Sequence, residues 1–313
     1  MQQILSTLAR ASLTLSASRE MLLDADTTDT ATAVVALLIG TVLNVSLCLL
    51  LRRTLSPDRS TTFFAWHSLV NALIVFLCAP DVVSSLRSPL TSLLRPYSLL
   101  PTVVQISFHV AHMVLDWRHL AIIDWVHHLL SSVLVGFLNV AYVYGPLLNY
   151  CMAFATGLPG GIDYAMLTAV KLGKLAPGTE KRVNGALNQW CRMPFILHWM
   201  GIATCCHSGG LFRGPMPPLI LGLQFVLIAG NSLFFAERVV ANHAMHAQKM
   251  LANQKQNGKD KNGAGYIATG ICLMWCFSAL FLPFFGDHVS SNGVGSSELH
   301  ALVLQSHSRS RSD

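Results

Sequence analysis

Asp124-Trp125-Val126-His127-His128-Leu129-Leu130-Ser131-Ser132 lies inside the run 120–142, which is otherwise apolar enough to read as a membrane-spanning helix. Several of its polar residues stand three or four apart, so on a helix they share one broad face. Ionisable groups at membrane depth are costly and turn toward a bundle interior or a wet cavity. Asp124, His127, His128, Ser131 and Ser132 are therefore read as the wall of a cavity, and the rest of the chain as what encloses it.

Composition sets the solvent. The 313 residues are 52% hydrophobic and only 12% charged, with mean hydropathy +0.50. Soluble domains carry roughly twice that charge. Repeated apolar stretches of about 20 residues predict an all-α, polytopic membrane protein rather than a barrel. The net charge of +6 does not imply a nucleic-acid partner, because the basic residues sit in short loops between apolar runs. The eight cysteines fall in or beside apolar runs without a Cys-x-x-Cys pair, which predicts neither a disulfide framework nor a zinc site built from them.

Seven to eight spans are expected: 31–51, 63–79, 99–115, 120–142, 146–173, 187–206, 219–240 and, as the least secure, 266–285. Residues 1–30 form a surface-lying or disordered lead, with an organelle transit peptide as the other reading of its Arg10, Arg19 and many hydroxyls. Residues 31–60 hold the first span and a basic loop, and 61–240 hold six spans. A polar linker (241–263), an extra apolar helix (264–286) and a disordered tail (287–313) complete the division. Prolines 80, 89, 96 and 101 are expected to end helix after the second span. Gly157-Leu158-Pro159-Gly160-Gly161 is expected to interrupt the fifth. Arg52, Arg53, Arg59, Arg118, Lys171, Lys174, Lys181 and Arg182 fall on one side by this count, marking it as cytosolic.

The polar faces of several spans converge in this reading. His67 and Asn71 are four apart; His109, His112 and Asp116 follow an i, i+3, i+7 pattern; Asn149, Asp163, Asn188 and Arg192 come from the next two spans. His127 and His128 are the candidate catalytic pair, as general base or nucleophile, with Asp124 or Asp116 orienting a ring. His67, Asn71, His109, His112, Ser131, Asn149, Asp163 and Arg192 are the candidate substrate-binding residues. Asp163 and Arg192 are expected to pair as ions. No metal is expected: His109-Val-Ala-His112 and His243-Ala-Met-His246 are isolated His-x-x-His pairs, and the His-x-x-His-His box of membrane di-iron enzymes does not occur.

The order of these features resembles the TLC-domain family, which includes the ceramide synthases, translocon-associated membrane proteins and several lipid-homeostasis proteins. Phe64-Ala65-Trp66-His67-Ser68-Leu69-Val70-Asn71 resembles the family's opening helix, Ser107 to Asp116 the helix that ends in an acid, and Trp125-Val126-His127-His128 its paired histidines. The resemblance covers about 61–240 and implies a six-helix core around a lipid-handling cavity in the endoplasmic reticulum or another endomembrane. The ceramide synthases' signature continues with a second His-Asp element. This chain has Gly160-Gly161-Ile162-Asp163 and Lys171 in that region instead, which argues against sphingoid-base acylation itself.

Three functions stay open at this point. An acyltransferase-like enzyme would bind a membrane lipid or acyl-chain ligand and require acyl-CoA as co-substrate, with no resident cofactor. A non-enzymatic scaffold would bind cargo or sense lipid. An ion- or proton-coupled transporter would use the interrupted fifth span. A homodimer is among the open assemblies.

Overall fold

The computed structural model describes residues 30–256 apart from 94, 143 and 213–215. The lead before residue 30, the eighth apolar run 266–285 and the polar tail lie outside the described residues, as do the side chains of Ser131 and Ser132. The described chain is helical, without strands. Its helices are α1 (Thr30–Thr54), α2 (Arg59–Arg87), α3 (Leu100–Asp116), α4 (Ile122–Ala141), α5 (147–171), α6 (177–208) and α7 (Pro218–Gln256), with a single helical turn at Pro89–Ser92. Segments Ala31–Thr54, Arg59–Arg87, Ile122–Ala141 and Pro218–Lys249 are long and apolar enough to cross a membrane.

The radial distribution of side chains is inverted relative to a water-soluble bundle. Leu38 and Val42 are each 64% exposed and Val226 is 69% exposed. Thr62, Ser85, Ser107, Asn149 and Glu180 are buried. Water would drive these two groups the other way; lipid tails accept the apolar exterior and leave polar groups to pair inside. Around the interior, neighbours run α2, α3, α4, α7, α6, α5 and back to α2, while α1 packs outside against α2 and α3.

Small residues set the close approaches, as is common where helices pack without a hydrophobic drive between them. A Cβ at Gly136 would stand 2.5 Å from Ile106 Cγ1, so α4 can lie this close to α3 only with glycine there. A Cβ at Gly160 would meet Asn71 Nδ2 at 2.9 Å, and Gly161 offers its carbonyl to the Ser68 hydroxyl at 3.0 Å, joining α5 to α2. At the start of α2, Asp58 accepts from Thr61 Oγ1 at 2.7 Å and Thr61 N at 2.8 Å. Those bonds hold its carboxyl below the usual carboxylate range and satisfy one donor that the helix leaves open.

Three expectations need correction. Helix α2 does not stop at Pro80 but runs on to Arg87. Proline removes one ladder bond and tends to bend a helix, which a helix held by α1, α3 and α5 tolerates. The glycine-proline segment does not break α5: a wide i→i+5 stretch over Ala153–Gly157 feeds directly into Leu158–Lys171. The polar linker expected from residue 241 is helical as far as Gln256, because Ala, Met, Gln and Lys in 241–256 are strong helix formers.

Candidate functional site

A cavity of about 170 Å³ opens between the six inner helices. His67, Asn71, His109, His127, Asp163 and Arg192 line it, so six of the sequence candidates share one wall. Each of the three i→i+5 stretches contributes to it: His127–Leu134 through His127, Ala153–Gly157 through Ala155 and Thr156, Asn188–Arg192 through Arg192. Such wide turns cost ladder geometry and recur where function requires a displaced side chain.

The histidines form a continuous cluster. Ring centroids are 5.1 Å apart for His127 and His128, 5.1 Å for His109 and His128, and 4.8 Å for His112 and His128. His67 joins from α2, 5.5 Å from His112. His109 Nδ1 lies 2.8 Å from the Gln105 carbonyl, and His127 Nδ1 lies 2.9 Å from Asn231 Oδ1. Both partners are acceptors, so each ring carries its proton on Nδ1 and leaves the Nε2 lone pair bare. His112 Nε2 faces Asp116 Oδ2 at 3.4 Å. The Nδ1 atoms of His112 and His128 are buried and have no hydrogen-bond partner among the described residues. One nitrogen each from His109, His127 and His128 lies within 4.8 Å of the others, a set that could hold a metal ion.

The acids take other places. Asp124 sits in the first turn of α4, where its Oδ2 accepts from Ala121 N at 3.0 Å; it caps its own helix. Asp116 stands at the basic end of the bundle, where Arg59 Nε donates to it at 2.8 Å and Arg52 Nη2 lies 3.6 Å away. Of the two acids expected to orient a ring, Asp116 reaches His112 and neither contacts His127 or His128. Asn149 is buried outside the cavity wall and donates to Asp81 Oδ2 at 2.6 Å and to the Ser98 carbonyl at 3.0 Å, tying α5 to α2.

Asp163 and Arg192 both reach the cavity but form no direct ion pair. Arg192 Nη1 donates to Asn188 Oδ1 at 2.5 Å, and Asn188 in turn donates to Asn184 Oδ1 at 2.7 Å. Asp163 Oδ1 and Arg192 Nε are buried without hydrogen-bond partners among the described residues. The pairing expected from sequence fails because the Asn184–Asn188–Arg192 ladder along α6 draws the guanidinium away.

Sequence reasoning missed the polar side chains that α7 and Tyr164 bring to the site. Asn231 holds His127, Gln224 Nε2 donates to Asn139 Oδ1 at 3.0 Å, and Tyr164 of α5 packs on His67 with centroids 4.4 Å apart. Gln224 and Asn231 stand seven apart within an apolar run, the same signal that marked the other spans. Cys48, Cys151, Cys191, Cys205 and Cys206 are free thiols. Compared with known proteins, the chain finds no counterpart: no family model, no curated protein and no solved structure matches it.

Proposed function

We propose that the chain is a multi-pass endomembrane protein of TLC type that acts on membrane lipid, with the histidine cluster carrying acyl transfer. In this reading α1 to α7 all cross the bilayer, and α2 to α7 form the six-helix core over 61–240. The single observation that carries it is the cluster of five imidazoles, three of them (His67, His109 and His127) on the wall of a cavity of mixed polar and apolar lining, inside a bundle whose exterior is apolar.

His127 lines the cavity, and its Nε2, which the Asn231 bond leaves unengaged, is suited to take a proton from a lipid hydroxyl or amine. The freed nucleophile would attack the acyl carbonyl, the carbon–sulfur bond would break, and the departing coenzyme A thiolate would take the proton back from the imidazolium. Arg118, Lys171 and Lys174 sit at the basic end of the helices, where they would receive an acyl-CoA donor from the cytosol. Asn71, Asp163 and Arg192 offer polar contacts for a head group deeper in.

Whole-cell lipidomics on cells making the wild type or His127→Ala/His128→Ala, matched for protein abundance, tests this. One lipid class is expected to change with the wild type and return to baseline with the double variant. Identical profiles at equal abundance would remove the enzyme reading and leave a scaffold.

A further inference from the structure

We infer that His109, His127 and His128 bind a zinc-class divalent metal ion, with the open coordination position facing the cavity. Three imidazoles, joined by no carboxylate among the described residues, form a ligand set suited to zinc. The set is assembled by two helices, α3 and α4, so the absence of a His-x-x-His-His box within one helix does not bear on it.

Four features of the cluster point the same way. The ligating nitrogens already lie within 4.8 Å of one another. Two nitrogens on one tetrahedral zinc stand about 3.3 Å apart, so the furthest pair has about 1.5 Å to close, within reach of ring rotation. The outer bonds from His109 Nδ1 to the Gln105 carbonyl and from His127 Nδ1 to Asn231 are the second-shell contacts that fix a ligating histidine's tautomer and aim its Nε2. His128 is 4% exposed and its Nδ1 has no hydrogen-bond partner among the described residues. A buried nitrogen in that state needs an occupant, and a metal ion shared with its neighbours supplies one for the ring.

The i→i+5 stretch that begins at His127 answers the main objection. Adjacent residues on an α-helix diverge too far to share an ion easily; a wider turn reduces the angle between them. Because His109 and His127 line the cavity, the fourth position opens onto it, as in zinc sites that act on substrate rather than hold a fold together. A carbonyl oxygen of a bound acyl group is the ligand such a position would take, and with the ion in place the polarising of that carbonyl replaces proton transfer to His127, whose Nε2 is then a ligand. His112 stays outside the set, turned toward Asp116.

The test reads metal, not lipid, so its failure and that of the acyl-transfer reading are separable. The full chain is purified in detergent, its affinity tag removed, in metal-depleted buffer, and metals are counted by inductively coupled plasma mass spectrometry. About one zinc per chain is expected in the wild type, in His112→Ala and in the exposed His119→Ala, falling at least tenfold in His109→Ala and His128→Ala at an unchanged elution volume. If those variants fail to fold, the metal-stripped wild type is titrated with cobalt(II). Visible bands of a tetrahedral nitrogen site, lost on adding zinc, would uphold the proposal. Zinc retained after removal of His109 and His128, or a wild type that neither carries zinc nor takes up cobalt, would overturn it.

Discussion

Replacing Trp66 with alanine is expected to lower the stability of the folded chain by about 3–5 kcal/mol, the cost of emptying a large aromatic site in a packed interior. Trp66 is fully buried on α2, with its ring edge-to-face on Phe108 of α3 at 4.6 Å. Its indole Nε1 donates to Asn44 Oδ1 at 3.1 Å, and Asn44 Nδ2 donates to Ser107 Oγ at 3.2 Å. One side chain therefore closes a triangle between α1, α2 and α3. Alanine opens a cavity and also strands the Asn44 oxygen on a helix whose outer face is apolar. Trp66→Phe keeps most of the bulk and loses the bond, so it should cost about 1–3 kcal/mol. Thermal unfolding of the purified variants in one detergent separates the two. If Trp66→Ala unfolds at the wild-type temperature, the proposed packing of the first three helices is wrong.

Asp116→Ala should produce the next largest loss, about 1.5–3 kcal/mol, the range for hydrogen bonds to a charged group. Asp116 is 4% exposed, while its partners Arg52 and Arg59 are 34% and 42% exposed. A fully buried pair broken in this way would cost more. Here the two guanidiniums can turn to water when the carboxylate is gone, which favours the lower figure. Asp116→Asn should lose less, since its oxygen still accepts from Arg59. The same denaturation measurement decides it, and a variant as stable as wild type would mean that the arginines hold nothing together. His112 should also lose its fixed orientation. The zinc content is expected to stay intact, because His112 is not among the proposed ligands.

Much of the fold was legible because hydropathy and helical period report directly on span and face. The run 120–142 corresponds to Ile122–Ala141, and 219–240 to the first part of α7. The second span was read too short because a single proline in sequence says nothing about whether neighbours will support the helix through it. The cavity-facing positions of His67, Asn71, His109 and His127 were visible from spacing within each helix. Their partners were not. Periodicity assigns a residue to a face but not to the helix opposite, so Asn231 beside His127 came only from the packing. The wide turns carry no sequence signature of their own, and they are what brings His127, Thr156 and Arg192 to one wall.

The length of α7 has a mechanical consequence. Its 39 residues extend about 58 Å, while a bilayer's hydrocarbon layer is about 30 Å thick. The surplus lies at the C-terminal end, where His243 and His246 rest against Gly185 and Gly178 of α6. A helix is stiff along its axis, so a displacement imposed on that outer end arrives nearly undiminished at Asn231. The amide there grips the His127 ring. The overhang is thus continuous, as one helix, with the amide that holds an imidazole in the interior of the bundle.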